Sequence, residues 1–316
     1  MWRYALRRLS FLPIIVFAVS LLTFVILRVL PGQDPALVIA GQGATKAQIS
    51  QIHAQLGLDH PIWRQYVNWV GDALRGDFGT TYQSQASIRS EFVRRFPASF
   101  EIVFLSLVVS AITGITFGIL SAMYRNSVLD YAVRVFAVFG ASIPEFFLLT
   151  LLIIIPSYLF NYSAPIGGYV SPLHHPWTNL RLFVPPALVL GIGGSAALMR
   201  LVRTTMLEVL RSDYIRTAHA KGLSQRAVII GHALRNAATP IVTALGMAFV
   251  AIFGGSIIAE QIMSLQGVGQ WFFASTVLRD LPVVQFLAVY TATVVIIVNL
   301  IVDLSYAVVD RRVRYN

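Results

Sequence analysis

The stretch IVFLSLVVSAITGITFGILSAMY, residues 102–124, contains 23 residues and no charged side chain. A helix needs about 20 predominantly apolar residues to cross the hydrocarbon core of a bilayer, so this stretch is long enough to span a membrane. The composition of the whole chain agrees, because 56% of its 316 residues are hydrophobic and only 12% are charged. A soluble domain carries roughly 25% charged residues. The sequence therefore predicts an integral membrane protein.

Five further apolar windows accompany this stretch. Three of them are uncharged and cover residues 10–27, 236–259 and 284–302. The window 135–160 is interrupted by Pro144 and Glu145, and the window 183–199 is short and contains two prolines near its start. Together the windows predict an all-α integral membrane fold with six transmembrane helices.

Small residues recur at every fourth position of the stretch 102–124. They are Ser110, Gly114, Gly118 and Ala122. Residues four positions apart share one face of a helix, and a face of small side chains lets another helix approach closely. The segment GIGGSA, residues 191–196, is not interpreted as a dinucleotide-binding loop, because it lies inside an apolar window and follows no predicted strand.

The basic residues are unevenly distributed along the chain. Of the 24 Lys and Arg residues, 15 lie in the segments 3–8, 125–134, 200–235 and 311–314. With six spans these segments share one side of the membrane, and the positive-inside rule places that side and both termini in the cytoplasm. The net charge of +10 could suggest nucleic acid. We instead expect no nucleic-acid partner, because these residues border membrane spans, where they suit anionic lipid headgroups.

The N-terminal apolar run follows Arg7 and Arg8, as a cleaved signal peptide would. However, the run is 18 residues long and no small-residue cleavage site follows it directly. The apolar region of a signal peptide is about 7–15 residues long. We therefore predict a first helix that is retained.

The region between the first two spans has helical signals of its own. Thr45 can cap a helix that has Ile49, Ile52 and Leu56 on one face and ends at Gly57. A second helix opens at Pro61 and ends at Gly76, with Ile62, Tyr66, Val70 and Leu74 at every fourth position. These signals predict a small helical cap on the outer face, which either covers a vestibule, receives a soluble partner or simply packs on the bundle.

Residues suited to catalysis or metal binding are sparse. The chain has no cysteine, so it has no disulfide, thiolate metal site or thiol nucleophile. Neither of its lysines, Lys46 and Lys221, is followed by Ser or Thr, which excludes a P-loop. His174 and His175 are adjacent and therefore do not share a helical face as zinc ligands of the H-E-x-x-H type do. We predict neither a catalytic site nor a metal site.

Glu145 is the ionisable residue that lies furthest inside an apolar window. A charge inside a membrane is costly, so such a residue is interpreted as functional by default. It follows Pro144, whose missing N–H opens a helix locally, so the carboxylate either lines a water-filled path or caps a broken helix. We predict that Ser142, Pro144 and Glu145 line a translocation path.

The stretch YIRTAHAKGLSQRAVIIGHALRNA, residues 214–237, is polar and basic although apolar windows flank it. Ser212 or Asp213 can cap a first short helix, and Gly222 suits the left-handed conformation that ends it. Ser224 can cap a second helix that continues into the window 236–259. We predict a helical elbow that projects into the cytoplasm, with a basic surface of small residues suited to docking into a groove of another protein.

The segment RTAHAKGLSQRAVIIGHALRNA resembles the cytoplasmic "EAA" loop of bacterial ABC importer permeases, in the variant of the dipeptide, oligopeptide and nickel permease family. Further resemblance lies in the segments LLTFVILRVLPGQDPA, LGLDHPIWRQYVNWVGDALRGDFGTT, RFPASFE, SIPEFF and IVDLSYAVVDRRVRY. Together they cover nearly the whole chain and look like the first of two permease partners, the kind with a large outer loop. Arg216 and Arg235 depart from the broader importer loop, which has glutamate and proline there.

The resemblance implies a permease of the type I importer architecture in the bacterial inner membrane. It also implies a second homologous permease, two ATPase subunits that bind ATP and Mg²⁺, and an external solute-binding protein; this chain itself would bind no cofactor. In the family the elbow rests on an ATPase subunit. That role would fall to Arg216, Thr217, Ala218, His219, Ala220, Lys221, Gly222, Leu223 and Ser224. The solute would be a peptide, a nickel chelate, glutathione, haem or an oligosaccharide.

These predictions divide the chain into four regions. They are an N-terminal transmembrane helix (1–30), an external helical loop (31–99), a permease core of five transmembrane helices (100–310) that includes the coupling loop (203–237), and a cytoplasmic tail (311–316).

Two other functional classes are open to an apolar chain of this kind. A proton-coupled secondary transporter would need paired intramembrane carboxylates or histidine relays, and only Glu145 qualifies. Transport that persists without nucleotide but collapses with an uncoupler would favour that alternative. An intramembrane enzyme would need a nucleophile and a base that converge within the bilayer, and the sequence supplies no such pair.

Overall fold

The computed structural model describes residues 2–29, 35–40, 43–55 and 57–309. Within these residues the regular structure is helical apart from one isolated bridge between Thr80 and Ser87. The helices are α1 (Trp2–Val29), α2 (Pro35–Ala40), α3 (Lys46–Gln55), α4 (Ile62–Leu74), α5 (Ile88–Met123), α6 (Val128–Ser142), α7 (Glu145–Phe160), α8 (Pro176–Leu210), α9 (Asp213–Ala220), α10 (Gln225–Ala227), α11 (Leu234–Ile262), α12 (Val268–Val277) and α13 (Leu281–Val309). A π-helical turn, Val228–Ala233, joins α10 to α11.

The described part of the chain contains five helices that are long and apolar enough to cross a membrane, or six if one bent pair of helices is counted as a single broken span. The five lie in α1, α5, α8, the continuous helix Gln225–Ile262 and α13. The bent pair is α6 and α7, whose directions differ by 92°. The prediction of an all-α membrane fold is confirmed, and the interruption at Pro144 and Glu145 marks the bend.

The described residues form two compact units, the first built from residues 2–5, 98–266 and 298–309. Its helices pack closely through glycine. A Cβ atom at Gly114 would lie 2.6 Å from Leu198 Cδ2, and one at Gly118 would lie 2.7 Å from Val202 Cβ. Such distances leave no room for a side chain. The predicted ridge of small residues in α5 is therefore confirmed, and α8 is the helix that approaches it.

The second unit consists of the described residues of 6–97 and 267–297. Its apolar core contains Ile88, Val268, Trp271, Val283 and Leu287. The carboxylate of Asp280 accepts hydrogen bonds from the backbone N–H of Tyr82 at 3.1 and 3.0 Å, which ties the loop between α4 and α5 to the turn before α13. Burial raises the pKa of the Asp280 carboxyl, and the backbone hydrogen bonds oppose that rise.

The two outer helices predicted from the sequence are present as α3 and α4. Thr45 caps α3 as predicted, since its hydroxyl accepts from the Gln48 N–H at 3.3 Å while the Gln48 side chain accepts from the Thr45 N–H at 2.9 Å. Gly57 and Gly76 end the helices with φ of +64° and +82°. Of the face predicted for α3, Leu56 lies outside the described residues.

The face predicted for α4 is partly wrong. Leu74 is 84% exposed and Ile62 is 45% exposed, whereas Tyr66 is buried as expected. The buried side of the helix instead runs through Tyr66 and Trp69, which pack on Phe24 of α1. The apolar arc of α4 is wide enough to contain two stripes, and α1 covers only one of them.

Candidate functional site

The elbow predicted between two spans ends its first helix in a complete Schellman motif. Gly222 has φ of +79°, the left-handed conformation expected of it. Its N–H donates to the His219 carbonyl at 2.9 Å, and the Leu223 N–H donates to the Ala218 carbonyl at 3.3 Å. These are the two hydrogen bonds that satisfy the last carbonyls of a helix. The sequence prediction for Gly222 is confirmed in its local geometry.

The second helix of the elbow begins as predicted at Ser224. Its hydroxyl accepts from the Ala227 N–H at 3.4 Å, and the helix then continues through the π-helical turn into α11. The start of α9 is different, because neither of the two predicted side chains caps it. The Ser212 hydroxyl donates to the Val209 carbonyl at 2.6 Å instead, and Asp213 pairs with Arg216 at 3.4 Å on the surface.

One side of the elbow is buried within the chain. Ile215 and Ala218 of α9 are only 2% and 7% exposed and pack against Val202 and Met206 of α8 and Ile229 of the π-helical turn. Of the predicted coupling residues, Ala218 thus points its side chain into the chain and not toward solvent. Among the predicted coupling residues the exposed ones are Arg216, Thr217, His219, Ala220, Lys221, Gly222, Leu223 and Ser224.

The three predicted path residues lie together at the break between α6 and α7. Ser142 is the last residue of α6, Pro144 precedes α7, and Glu145 is its first residue. Ser142 and Pro144 are exposed and Glu145 is half-buried. The Ser142 hydroxyl donates to the carbonyl of Val138 at 2.8 Å. The break thus places a carboxylate at the N-terminal end of a helix inside a span, where the helix dipole favours negative charge.

Glu145 lies against two glycines on two other helices. Its Oε1 would be 2.8 Å from a Cβ atom at Gly193 of α8, and its Oε2 would be 2.6 Å from one at Gly255 of α11. Any larger residue at either glycine would displace the carboxylate. No hydrogen bond or ion pair from the described residues reaches the carboxylate, so capping by Glu145 is not what the geometry supports.

An apolar cavity of about 660 Å³ lies along α7 and α8, one turn beyond Glu145. Its wall includes Leu148, Leu152 and Ile155 of α7, Leu188 and Ile192 of α8, and Arg181 as the charged side chain. The volume falls in the range of about 300–1,000 Å³ that is usual for small-molecule sites. The cavity can therefore hold an apolar group.

A buried ion pair that the sequence analysis missed lies beside the elbow. Asp130 of α6 is fully buried, and its carboxylate accepts from Arg203 Nε and Nη2 at 2.8 and 2.9 Å. It also accepts from the Ser121 hydroxyl at 2.6 Å and from the Asn126 N–H at 2.9 Å. The pair joins α5, α6 and α8. The local sequence signals only the start of α6, where Ser127 caps the helix through the Asp130 N–H at 3.3 Å, and it does not indicate the ion pair.

The elbow and the path residues are separate groups that rest on the same two helices. The elbow packs on α8 and on the start of the Gln225–Ile262 helix, and Glu145 packs on Gly193 and Gly255 of those helices. Movement of the elbow that shifts α8 or α11 would therefore change the surroundings of Glu145. Among the described residues no group of three or more His, Cys, Asp or Glu side chains is placed to hold a metal ion.

Two family descriptions match this chain and together cover nearly all of it. Residues 114–315 match the binding-protein-dependent transport system inner membrane component. Residues 1–103 match the N-terminal part of the membrane component of such systems.

Similar proteins of known assignment extend over the full chain. The dipeptide transport system permease protein DppB of Escherichia coli K12 is 37% identical, over 100% of this chain and 99% of that protein. DppB of Bacillus subtilis strain 168 is 36% identical, over 99% of this chain and 98% of that protein. The fold is similar to a solved chain of the inward-facing MetNI methionine ABC transporter, with a TM-score of 0.52, 19% identity, and coverage of 70% of this chain and 96% of that chain.

Proposed function

Because the chain belongs to the family of binding-protein-dependent transport system inner membrane components, we propose that it forms one half of a membrane path for peptides. It is a permease subunit of an ABC importer in the inner membrane, and it is not an enzyme. The observation that supports peptides as the solute is the full-length similarity to two dipeptide permeases. The other half of the path is proposed to come from a second, related permease.

The energy for transport is proposed to come from two ATPase subunits that bind ATP and Mg²⁺, and the solute from an external binding protein. The exposed elbow residues 216, 217 and 219–224 are the proposed contact with an ATPase subunit. Two features support this assignment: the elbow offers an exposed, basic surface, and its buried side packs on α8 and on the start of the Gln225–Ile262 helix. A displacement of the elbow would be transmitted directly to those helices, because packed helices move as rigid elements.

Glu145 is proposed to receive that movement inside the path. Its carboxylate lies on α8 and α11, so a relative shift of these helices would alter the exposure of the carboxylate. Every peptide with a free amino terminus carries an ammonium group, and a carboxylate without a partner from the described residues can accept its hydrogen bonds. The adjoining apolar cavity would take an apolar side chain of the same peptide.

Replacement of Glu145 by glutamine removes the charge and keeps the shape. We expect Glu145→Gln to lower ATP-driven peptide uptake by about tenfold or more, since a hydrogen bond to a charged group contributes about 1.5–3 kcal/mol. Uptake into proteoliposomes that contain the complete complex is the measurement, with Asp59→Asn in the outer loop as the control. Uptake equal to that of the control, in a complex of normal composition, would remove Glu145 from the path.

Both termini and the elbow are proposed to face the cytoplasm, as the distribution of basic residues indicates. Since the chain has no cysteine, a single introduced cysteine can show directly on which side of the membrane its segment lies. Gln83 and Gln225 are suitable positions for these cysteines because both are exposed. In intact cells an impermeant maleimide should label Gln83→Cys, and Gln225→Cys only after lysis. The reverse pattern would invert the topology.

A further inference from the structure

The outer-loop helix α4 has an apolar stripe that the described residues leave uncovered. Trp63, Val67 and Leu74 are 66%, 59% and 84% exposed. They are spaced four and seven residues apart and so share one face of the helix. Adjacent to this stripe lies the buried side that carries Tyr66 and Trp69.

The buried side of α4 is fixed to the first membrane span. The Tyr66 hydroxyl lies 2.7 Å from the Ser20 hydroxyl, and the Tyr66 ring packs edge-on against Phe17 and Phe24, with centroids 5.9 and 5.3 Å away. Ser20 and Phe24 are only 5% and 1% exposed. The position of α4 is therefore set by α1, within one compact unit of the chain.

These contacts fix the depth of α4. The apolar span of α1 is Leu9–Arg28, and Ser20 is its twelfth residue. At about 1.5 Å of rise per residue, Ser20 lies about 12 Å from Arg28 along the helix. Half of the hydrocarbon core is about 15 Å thick. Packed helices have axes about 8–10 Å apart, so a helix that touches Ser20 and Phe24 runs beside acyl chains of that half.

The remaining surface of α4 suits a boundary between acyl chains and water. The side opposite the apolar residues carries Arg64, Asn68 and Asp72, all exposed. At the start of the helix the Gln65 side chain is held by the carbonyls of Leu58 and His60, at 3.0 and 2.8 Å. A helix with one apolar and one charged side can place its apolar side among the acyl chains while its charged side faces water.

We propose that phospholipid acyl chains of the leaflet in which α1 ends cover the stripe formed by Trp63, Val67 and Leu74. On this assignment α4 is a membrane-embedded amphipathic helix rather than part of a water-exposed cap. The outer loop is thereby fixed to the bilayer surface through α4. The proposal does not depend on the transported solute or on the ATPase contact.

The test uses nitroxide spin labels on single cysteines in the full complex, reconstituted in vesicles of phosphatidylethanolamine and phosphatidylglycerol. Collisions with oxygen, which concentrates in the bilayer, are compared with collisions with a water-soluble nickel chelate. Labels at Val67→Cys and Leu74→Cys should collide several-fold more with oxygen than with nickel. A label at Asn68→Cys, the matched neighbour on the polar side, should show the opposite preference.

Two results would overturn the proposal. Nickel collisions at Val67→Cys and Leu74→Cys that equal those at Asn68→Cys would mean that the stripe faces water. Infrequent collisions with both reagents at the two positions would mean that a protein partner covers it. Because all three side chains are exposed, the cysteines should leave folding intact, which the yield of assembled complex verifies.

Discussion

Arg203→Ala is expected to destabilise the chain by about 3 kcal/mol, the lower end of the usual cost of removing one partner from a buried ion pair. Asp130 is fully buried and Arg203 gives it two charged hydrogen bonds, so the variant leaves only Arg134 of α6, with its Nε 3.5 Å from the carboxylate, as a counterion. The stability of a typical native protein is only about 5–15 kcal/mol. We therefore expect a strong fall in the unfolding temperature of the purified chain and in the amount of assembled permease.

Arg200→Ala is the matched control, since Arg200 lies three residues earlier on α8 and is exposed. The double variant Asp130→Asn/Arg203→Met removes both charges and should recover part of the lost stability, because an uncharged replacement leaves no isolated ion. Equal unfolding temperatures for Arg203→Ala and Arg200→Ala would show that the pair is dispensable.

Gly222→Val is expected to uncouple transport from ATP hydrolysis while the chain remains inserted and paired. A residue with a side chain in the left-handed conformation costs roughly 1–2 kcal/mol, and a β-branched residue is especially unfavourable there. A Cβ atom at Gly222 would have no other atom of this chain within 4 Å. A valine side chain there would therefore clash only with a protein that binds to the elbow. We expect peptide uptake per ATP hydrolysed to fall by roughly 5–30-fold, the range that 1–2 kcal/mol corresponds to.

Three comparisons separate strain from obstruction at Gly222. Gly222→Asn adds bulk but tolerates the left-handed conformation, whereas Gly222→Ala adds strain with little bulk. Gly79→Val introduces similar strain in the outer loop, at φ of +83° and also in open space. If the elbow is the coupling contact, Gly222→Asn should be impaired and Gly79→Val should remain coupled. Normal coupling in Gly222→Val itself would mean that the elbow is only a solvated loop.

Features that depend on neighbouring residues were readable from the sequence. The apolar windows follow from the thickness of the bilayer, and the caps at Thr45 and Ser224 follow from side chains that can reach a nearby N–H. Gly222 was predictable because few other residues adopt its conformation. Each of these features is decided within a few residues of the chain.

Features that depend on distant residues were not readable in the same way. Asp130 and Arg203 are 73 positions apart, and nothing in the sequence around either residue indicates that the two form an ion pair. Gly193 lies in the segment 191–196, which the sequence does not support as a dinucleotide-binding motif. In the structure this glycine lets the Glu145 carboxylate approach α8. The neighbours of Ala218 in the sequence are polar, but α9 folds back onto α8 and buries it.

Crosslinking from Ala220 tests the central claim, that an ATPase subunit drives this permease through the elbow. Ala220 is exposed, and the chain has no other cysteine, so Ala220→Cys gives one defined reactive site. In a complex that still transports, we expect this cysteine to crosslink to the ATPase subunit that purifies with the chain, with a yield that changes when nucleotide binds. Gln83→Cys should give no such crosslink. The absence of any crosslink from Ala220→Cys in an assembled, transporting complex would contradict the assignment of the elbow as the coupling contact.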